Sequence, residues 1–325
     1  IFYDSMNTVM SMRLITSVLI LLLLPALFGA LAGTEDGSFC PTCPDWTNLD
    51  GWYRQKEAYS QSQLPPALRT AQQNETLQVK SAEKRYEVEE IAADAGDLAG
   101  AVPVDSRSPE EYAAGHIPGA RNIWWRSVRS GESINASALV EALRENGVNT
   151  TDRIVVYGEE GDASYLFWAL EYIGHRNVSL LNGGVDAWAK TGRALVRNSP
   201  SMPRSDYSGN ISEDLFIKPE DLEDVIGAAQ IIDTRESFAD FGRSRIQGAI
   251  QIPISTVIAD NSVRDAASLE SIFSGRGLDG GRLQIVYGDM PDASIMYYCL
   301  RLMGYRAALM DGNWRASGAV VGNIR

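Results

Sequence analysis

The chain has 325 residues, room for roughly two domains at ~150 residues each, with 45% of residues apolar and 22% charged. Those proportions suit buried cores and exclude disordered, collagen-like and low-complexity chains. A net charge of −13 repels nucleic acid, and three cysteines with two histidines support neither a disulfide-dense scaffold nor a metal cluster.

Arg13 precedes an apolar run over 14–24, broken only by Thr16 and Ser17, and Pro25 and the small residues of Ala30-Leu31-Ala32 follow. This charged, apolar, small-residue order is that of a secretory signal, so residues 1–32 are expected to be removed after Ala32. An uncleaved anchor is the alternative, because 14–32 nearly reaches the ~20 residues of a membrane span. Either way the body is expected outside the cytoplasm (secreted, periplasmic or at the cell surface), touching membrane only through that segment. Residues 33–85 are polar and Gln-rich around Pro65-Pro66, which reads as an extension of loops and short helices. It carries Cys40-Pro41-Thr42-Cys43. In an oxidising compartment Cys40 and Cys43 read as a structural disulfide, with a thiol relay or half a zinc site as alternatives.

Beyond residue 85 the chain repeats itself. Asp105-Ser106-Arg107 recurs as Asp233-Thr234-Arg235, Gly119-Ala120 as Gly248-Ala249, and Asn182-Gly183 as Asp311-Gly312. A period near 129 residues is a duplicated domain, too long for a solenoid unit. Within each copy, β-branched runs at 154–157 and 283–287 predict strands. Leu166, Ala169, Leu170 and Ile173 then share one helical face, as do Met296, Cys299, Leu300 and Met303. Gly174 and Gly304 stop these helices, and strands follow at 178–181 and 307–310. Strand–helix alternation of this kind predicts α/β architecture, a mostly parallel sheet flanked by helices in each copy. The expected domains cover 86–198 and 211–325, with a linker at 199–210 marked by Pro200, Ser201, Pro203 and Ser205.

The stretch from Asp105 through Ser108-Pro109-Glu110-Glu111-Tyr112 to Gly115-His116-Ile117-Pro118-Gly119-Ala120 resembles the rhodanese domain. Val155-Val156-Tyr157 and Asn182-Gly183-Gly184-Val185-Asp186-Ala187-Trp188 complete that pattern in order, and the second copy is a diverged version of it. The whole is similar to the tandem rhodanese arrangement of thiosulfate and 3-mercaptopyruvate sulfurtransferases. The resemblance implies that the residue closing the Val-Val-Tyr strand is a cysteine, whose thiolate takes sulfur from a donor and holds it as a persulfide. Loop N–H groups and the next helix start then stabilise the anionic sulfur.

Here that position is Gly158 in the first copy and Gly288 in the second, so no catalytic residue is expected at either. The loop Glu159-Glu160-Gly161-Asp162-Ala163-Ser164 carries three carboxylates, and Asp289-Met290-Pro291-Asp292-Ala293-Ser294 carries two. An anionic donor would meet like charge there. Asp162 and Asp292 also read as helix caps. Cys299, on a helical stripe, is expected to be a buried free thiol. His116 and His175 are expected to be structural or solvent-exposed. Asn74, Asn135, Asn149, Asn177 and Asn210 open N-x-[ST] sequons, a hint of surface exposure. The expected function is therefore an exported, rhodanese-like binding or scaffold module without sulfur transfer, needing no metal or cofactor. Its partner would be an unidentified protein or small molecule. The alternative is a sulfurtransferase-class enzyme using Cys40 or Cys43.

Overall fold

In the first copy, strands β1 (Ala92–Ala93), β2 (Ala101–Asp105), β3 (Arg121–Asn122), β4 (Arg153–Tyr157) and β5 (Val178–Leu181) form one sheet. Its order is β1-β5-β4-β2-β3, and every neighbouring pair is parallel. The computed structural model describes residues 84–322 except Pro200 and Asp311. The signal at 1–32, all but the end of the 33–85 extension, Cys40, Cys43 and Asn74 lie outside the described residues.

The second sheet contains β6 (Gln230–Asp233), β7 (Ile250–Gln251), β8 (Gln284–Tyr287) and β9 (Ala307–Leu309), all parallel, in the order β7-β6-β8-β9. It repeats the first sheet from β3 to β5. A parallel bridge from Phe216 to Leu309 stands where β1 flanks β5. Strands covered on both faces read as continuous apolar runs, and Ile154, Val155 and Val156 are all fully buried.

The helices are α1 (Pro109–Ala114), α2 (Ala136–Glu145), α3 (Glu160–Tyr172) and α4 (Gly184–Lys190), then α5 (Leu222–Val225), α6 (Phe238–Arg243), α7 (Ala266–Gly275) and α8 (Ala293–Leu302). Helix α1 opens as its sequence suggests. Ser108 and Glu111 form a reciprocal capping box, and Pro109 occupies the first turn, where a missing N–H costs nothing.

Helices α3 and α8 are different from the rest. Both are buried almost all round, as suits helices inside a core, and they pack on each other along the seam between the halves. Phe167 meets Tyr298 edge to face at 5.1 Å, and Glu171 of α3 accepts from Tyr297 at 2.7 Å and pairs with Arg301 at 3.0 Å. One hydrophobic cluster runs through the seam, from Val104, Val156 and Leu166 to Val286, Met296 and Leu300. Full burial of each such aliphatic side chain contributes roughly 1.5–3 kcal/mol.

The connecting segments are docked. Residues expected as a linker hydrogen-bond the first half: Ser205 N–H reaches Arg144 O at 3.0 Å, Asn210 N–H reaches Ile173 O at 2.8 Å, and Tyr207 is fully buried. The start of the first copy reaches the second half, where Val88 N–H donates to Leu302 O at 3.0 Å and Tyr86 Oη to Arg264 O at 2.8 Å. Among the described residues no helix is long and apolar enough to cross a membrane.

Candidate functional site

Strand β4 ends at Tyr157 and α3 begins at Glu160, so only Gly158 and Glu159 separate them. In the second copy β8 ends at Tyr287 and α8 begins at Ala293, leaving Gly288 to Asp292 as a longer turn. The sequences align here without a gap, yet one helix starts three positions earlier. Proline explains the delay: the residue before Pro291 is disfavoured in helical conformation, so winding starts beyond it. The two turns adjoin. A Cβ added at Gly161 would sit 2.8 Å from Asp292 Oδ1 and 3.0 Å from Pro291 Cγ, so glycine permits the approach. Ser294 Oγ donates to Gly161 O at 3.2 Å and to Pro291 O at 2.5 Å.

Beneath each turn lies the same polar frame. Arg107 grips the fully buried Asp105 through Nε at 2.9 Å and Nη2 at 2.6 Å, and donates to Gly115 O. Arg235 grips Asp233 likewise, at 2.9 and 2.5 Å, and donates to Ser244 O. Tyr157 and Tyr287 each accept a backbone N–H at 3.1 Å, from Ile117 and Ile246, and Tyr287 also donates to Asp233. Both arginines thus serve the frame and neutralise its own carboxylates.

The residue after each aspartate closes the frame. Ser106 Oγ donates to Tyr157 O at 3.1 Å, and Thr234 Oγ1 donates to Tyr287 O at 3.1 Å. A Cβ built on Gly158 would overlap Ser106 Oγ, and one built on Gly288 would overlap Thr234 Oγ1. The direction in which a side chain would leave either backbone is already filled by a bonded hydroxyl. Gly184 is also close, its Cβ direction pointing into Gly158 O.

The turn carboxylates fall into two kinds. Glu159 and Asp289 are exposed. Glu160 is largely buried: Oε1 accepts Gly183 N–H at 2.7 Å, while Oε2 is buried with no hydrogen-bond partner. Burial pushes its carboxyl up to about 7, against the Gly183 N–H and with the help of Glu159. Burial and the carboxylates of Glu111 and Glu159 likewise push Asp162 up to about 7, against Arg126. Asp292 is raised by burial, then by Asp289 and Glu236. Asp292 holds the N-cap position of α8 and Asp162 lies in the first turn of α3, the expected places for acidic residues at helix starts, but neither makes a side-chain cap hydrogen bond, which corrects that part of the expectation. Asp162 lies inside the first turn of a helix that starts earlier than expected, and Asp292 is itself in helical conformation.

Of the remaining loop residues, Ala163, Ser164, Ala293 and Ser294 are buried, Ser164 Oγ has no hydrogen-bond partner, and Met290 packs against the shared core. Cys299 is a free, fully buried thiol on α8, pushed well above its ordinary value by burial and then by Glu160. Both histidines are buried as well, which removes the solvent-exposed reading. His116 stacks on Tyr112 at 3.8 Å with Nδ1 2.9 Å from Tyr112 O, and His175 lies between Tyr207 Oη and Asp152 O, each at 3.0 Å. Among the described residues no cluster of three or more His, Cys, Asp or Glu could hold a metal. Glu111, Arg126 and Glu236 join the site's electrostatics from other elements, and no local spacing announced them.

Residues 85–191 match the family model of the rhodanese-like domain. The crystal structure of the 3-mercaptopyruvate sulfotransferase SseA from Escherichia coli superposes with a TM-score of 0.62 at 24% identity, covering 69% of this chain and 98% of that one. The fold is the rhodanese fold. In sequence, the chain is 27% identical over 237 residues to the 3-mercaptopyruvate sulfurtransferase of Escherichia coli K12, covering 66% of this chain and 84% of the relative. It is 28% identical over 244 residues to the sulfur carrier protein TtuD of Thermus thermophilus, covering 65% and 85%. The family match ends at 191, and the second sheet's likeness rests on its strand order and on the Asp233-Thr234-Arg235 frame.

Proposed function

We propose that this chain is a sulfurtransferase-like rhodanese protein that has given up sulfur transfer and acts outside the cytoplasm as a binding or scaffold module. The observation that carries the reading is the pair of filled turns: Ser106 Oγ and Thr234 Oγ1 occupy the space a side chain at Gly158 or Gly288 would need. Sulfur transfer of the rhodanese type forms a bond between a thiolate and a donor sulfur at that place, and a glycine supplies none. Cys299 offers no substitute, since it is fully buried and held in the thiol form. The carboxylates around the turns further disfavour thiosulfate, while the intact Asp–Arg–Tyr frames keep both surfaces rigid for a partner. The location rests on the signal-like order at 13–32.

Cyanide-trapped sulfur transfer from thiosulfate and from 3-mercaptopyruvate tests the reading, using the full chain and Cys40→Ser/Cys43→Ser. The expected result is background turnover in both proteins. Robust turnover by the wild-type chain overturns it, and turnover that vanished with Cys40 and Cys43 would put the alternative thiol in its place.

A further inference from the structure

On the first half, a cleft of about 570 Å³ opens beside the start of β2, and no residue of either turn lines it. Leu98, Pro103, Ile117 and Trp188 supply its apolar wall, and Arg121 and Arg193 its only charged side chains. In a chain with a net charge of −13, a cleft with two cations and no carboxylate in its lining is unexpected. Backbone carbonyls hold both guanidinium groups. Arg193 donates to Ala95 O at 3.1 Å and to Gly96 O at 2.9 Å, and lies 4.9 Å from the Trp188 ring centre. Arg121 donates through Nε to Asn146 O at 3.0 Å and through Nη1 to Gly119 O.

Neither arginine forms an ion pair with a carboxylate among the described residues. A guanidinium has five N–H donors in a fork that matches a carboxylate, so each retains donors beyond its two carbonyl bonds. Asp94, in the adjoining loop, accepts Gly96 N–H at 2.6 Å, and its side chain is outside the lining. Trp188 donates its indole N–H to Ala194 O at 3.3 Å, which leaves only ring carbon for the cleft. The volume is that of a small-molecule site, where an apolar wall binds the body of a ligand and a few polar groups orient it.

We propose that this cleft binds a small organic anion, a flat apolar body bearing a carboxylate that docks on Arg121 and Arg193. The inference is independent of whether the turns transfer sulfur. Calorimetric titration of the full chain with naphthalene-2-carboxylate, and with the neutral naphthalene-2-carboxamide, tests it. Saturable binding of the carboxylate is expected, at least tenfold tighter than the amide. Arg193→Gln should weaken carboxylate binding at least tenfold. Because that variant also loses two carbonyl bonds, Ala99→Glu serves beside it: Ala99 lines the cleft at an exposed position, so a carboxylate there should repel the ligand without disturbing the fold. Ala99→Gln should bind as the wild type does. No saturable binding at millimolar concentration, equal affinity for the amide, or unchanged affinity in Ala99→Glu would each overturn the proposal.

Discussion

The turns after Tyr157 and Tyr287 are built on one frame and finished in two ways. Both have a buried Asp–Arg pair, a hydroxyl bonded to the tyrosine carbonyl and a glycine with no room for a side chain. They part at the next residues. In the first, a helix begins almost at once and draws Glu160 and Asp162 into the protein. In the second, Pro291 delays the helix and leaves Asp289 in solvent. The lesson is that the frame maintains the fold while the turn sets the chemistry, and the two vary separately.

The frame should therefore be costly to break in either half. Asp105→Ala leaves Arg107 unpaired, and Asp233→Ala leaves both Arg235 and Tyr287 Oη without their partner. Removing one member of a buried ion pair costs about 3–5 kcal/mol. Chemical denaturation should show losses of that size for both variants, with Asp233→Ala the worse of the two. A loss below 1 kcal/mol in either would show that the two frames do not hold the fold equally.

The carboxylates that the first turn draws into the protein predict a pH effect. Glu160 titrates near 7 in the folded chain against an ordinary 4.5. Below pH 4.5 it is protonated folded or unfolded and costs nothing. As pH rises through that window the unfolded chain ionises first, so folding stability falls, and the full penalty applies above 7. A shift of this size corresponds to on the order of 3 kcal/mol. Asp162 adds to the loss in the same direction. Glu160→Gln keeps an oxygen for Gly183 N–H and should remove its own share of the fall between pH 5 and 8, and Glu160→Gln with Asp162→Asn should flatten the profile. Urea melts across that range decide it.

The filled Cβ sites make a smaller, reciprocal effect. Overpacking costs typically 1–3 kcal/mol, and the displaced hydroxyl also loses a bond worth ~1 kcal/mol. Gly288→Ala should be destabilising alone and much less so beside Thr234→Ala. The same should hold for Gly158→Ala beside Ser106→Ala. A double-mutant cycle should give coupling of about 1–2 kcal/mol in each half, and additive values would mean that the hydroxyls simply rotate away.

Much of the fold was legible because its signals are local. The β-branched runs became β4 and β8, and the residues of the shared stripes, Cys299 among them, are buried, although α3 and α8 are buried almost all round and not along one face. What escaped was whatever joins distant residues. The hydroxyl filling the Gly158 site belongs to Ser106, 51 residues from the carbonyl it binds, and the one hydrogen bond to the Glu160 carboxylate comes from Gly183, 23 residues on. His116 is fully buried, and Asn198 O, 82 residues away, lies 3.3 Å from its Nε2. Asp162 falls inside the first turn because α3 starts at Glu160, three positions before the matching start of α8.

The smallest effect expected is a gain of sulfur transfer, and it should appear in one half only. A thiolate placed at the turn needs room for its Cβ, N–H groups to hold anionic sulfur and a positive charge to draw the donor. Gly288→Cys alone lacks two of the three, since Thr234 blocks the side chain and Asp289 repels the donor. Adding Thr234→Ala clears the side chain, and Asp289→Arg reverses the charge. The longer turn before α8 then leaves backbone free to curve around the sulfur. The triple variant should exceed background in thiosulfate-to-cyanide transfer by a few-fold, with the corresponding Gly288→Ser triple variant at background. Gly158→Cys with Ser106→Ala and Glu159→Arg should stay at background, because α3 begins two residues later and leaves no turn to cradle a persulfide. Equal gains in both halves would show that turn length is irrelevant. The difference between the turns would then reduce to the buried carboxylates.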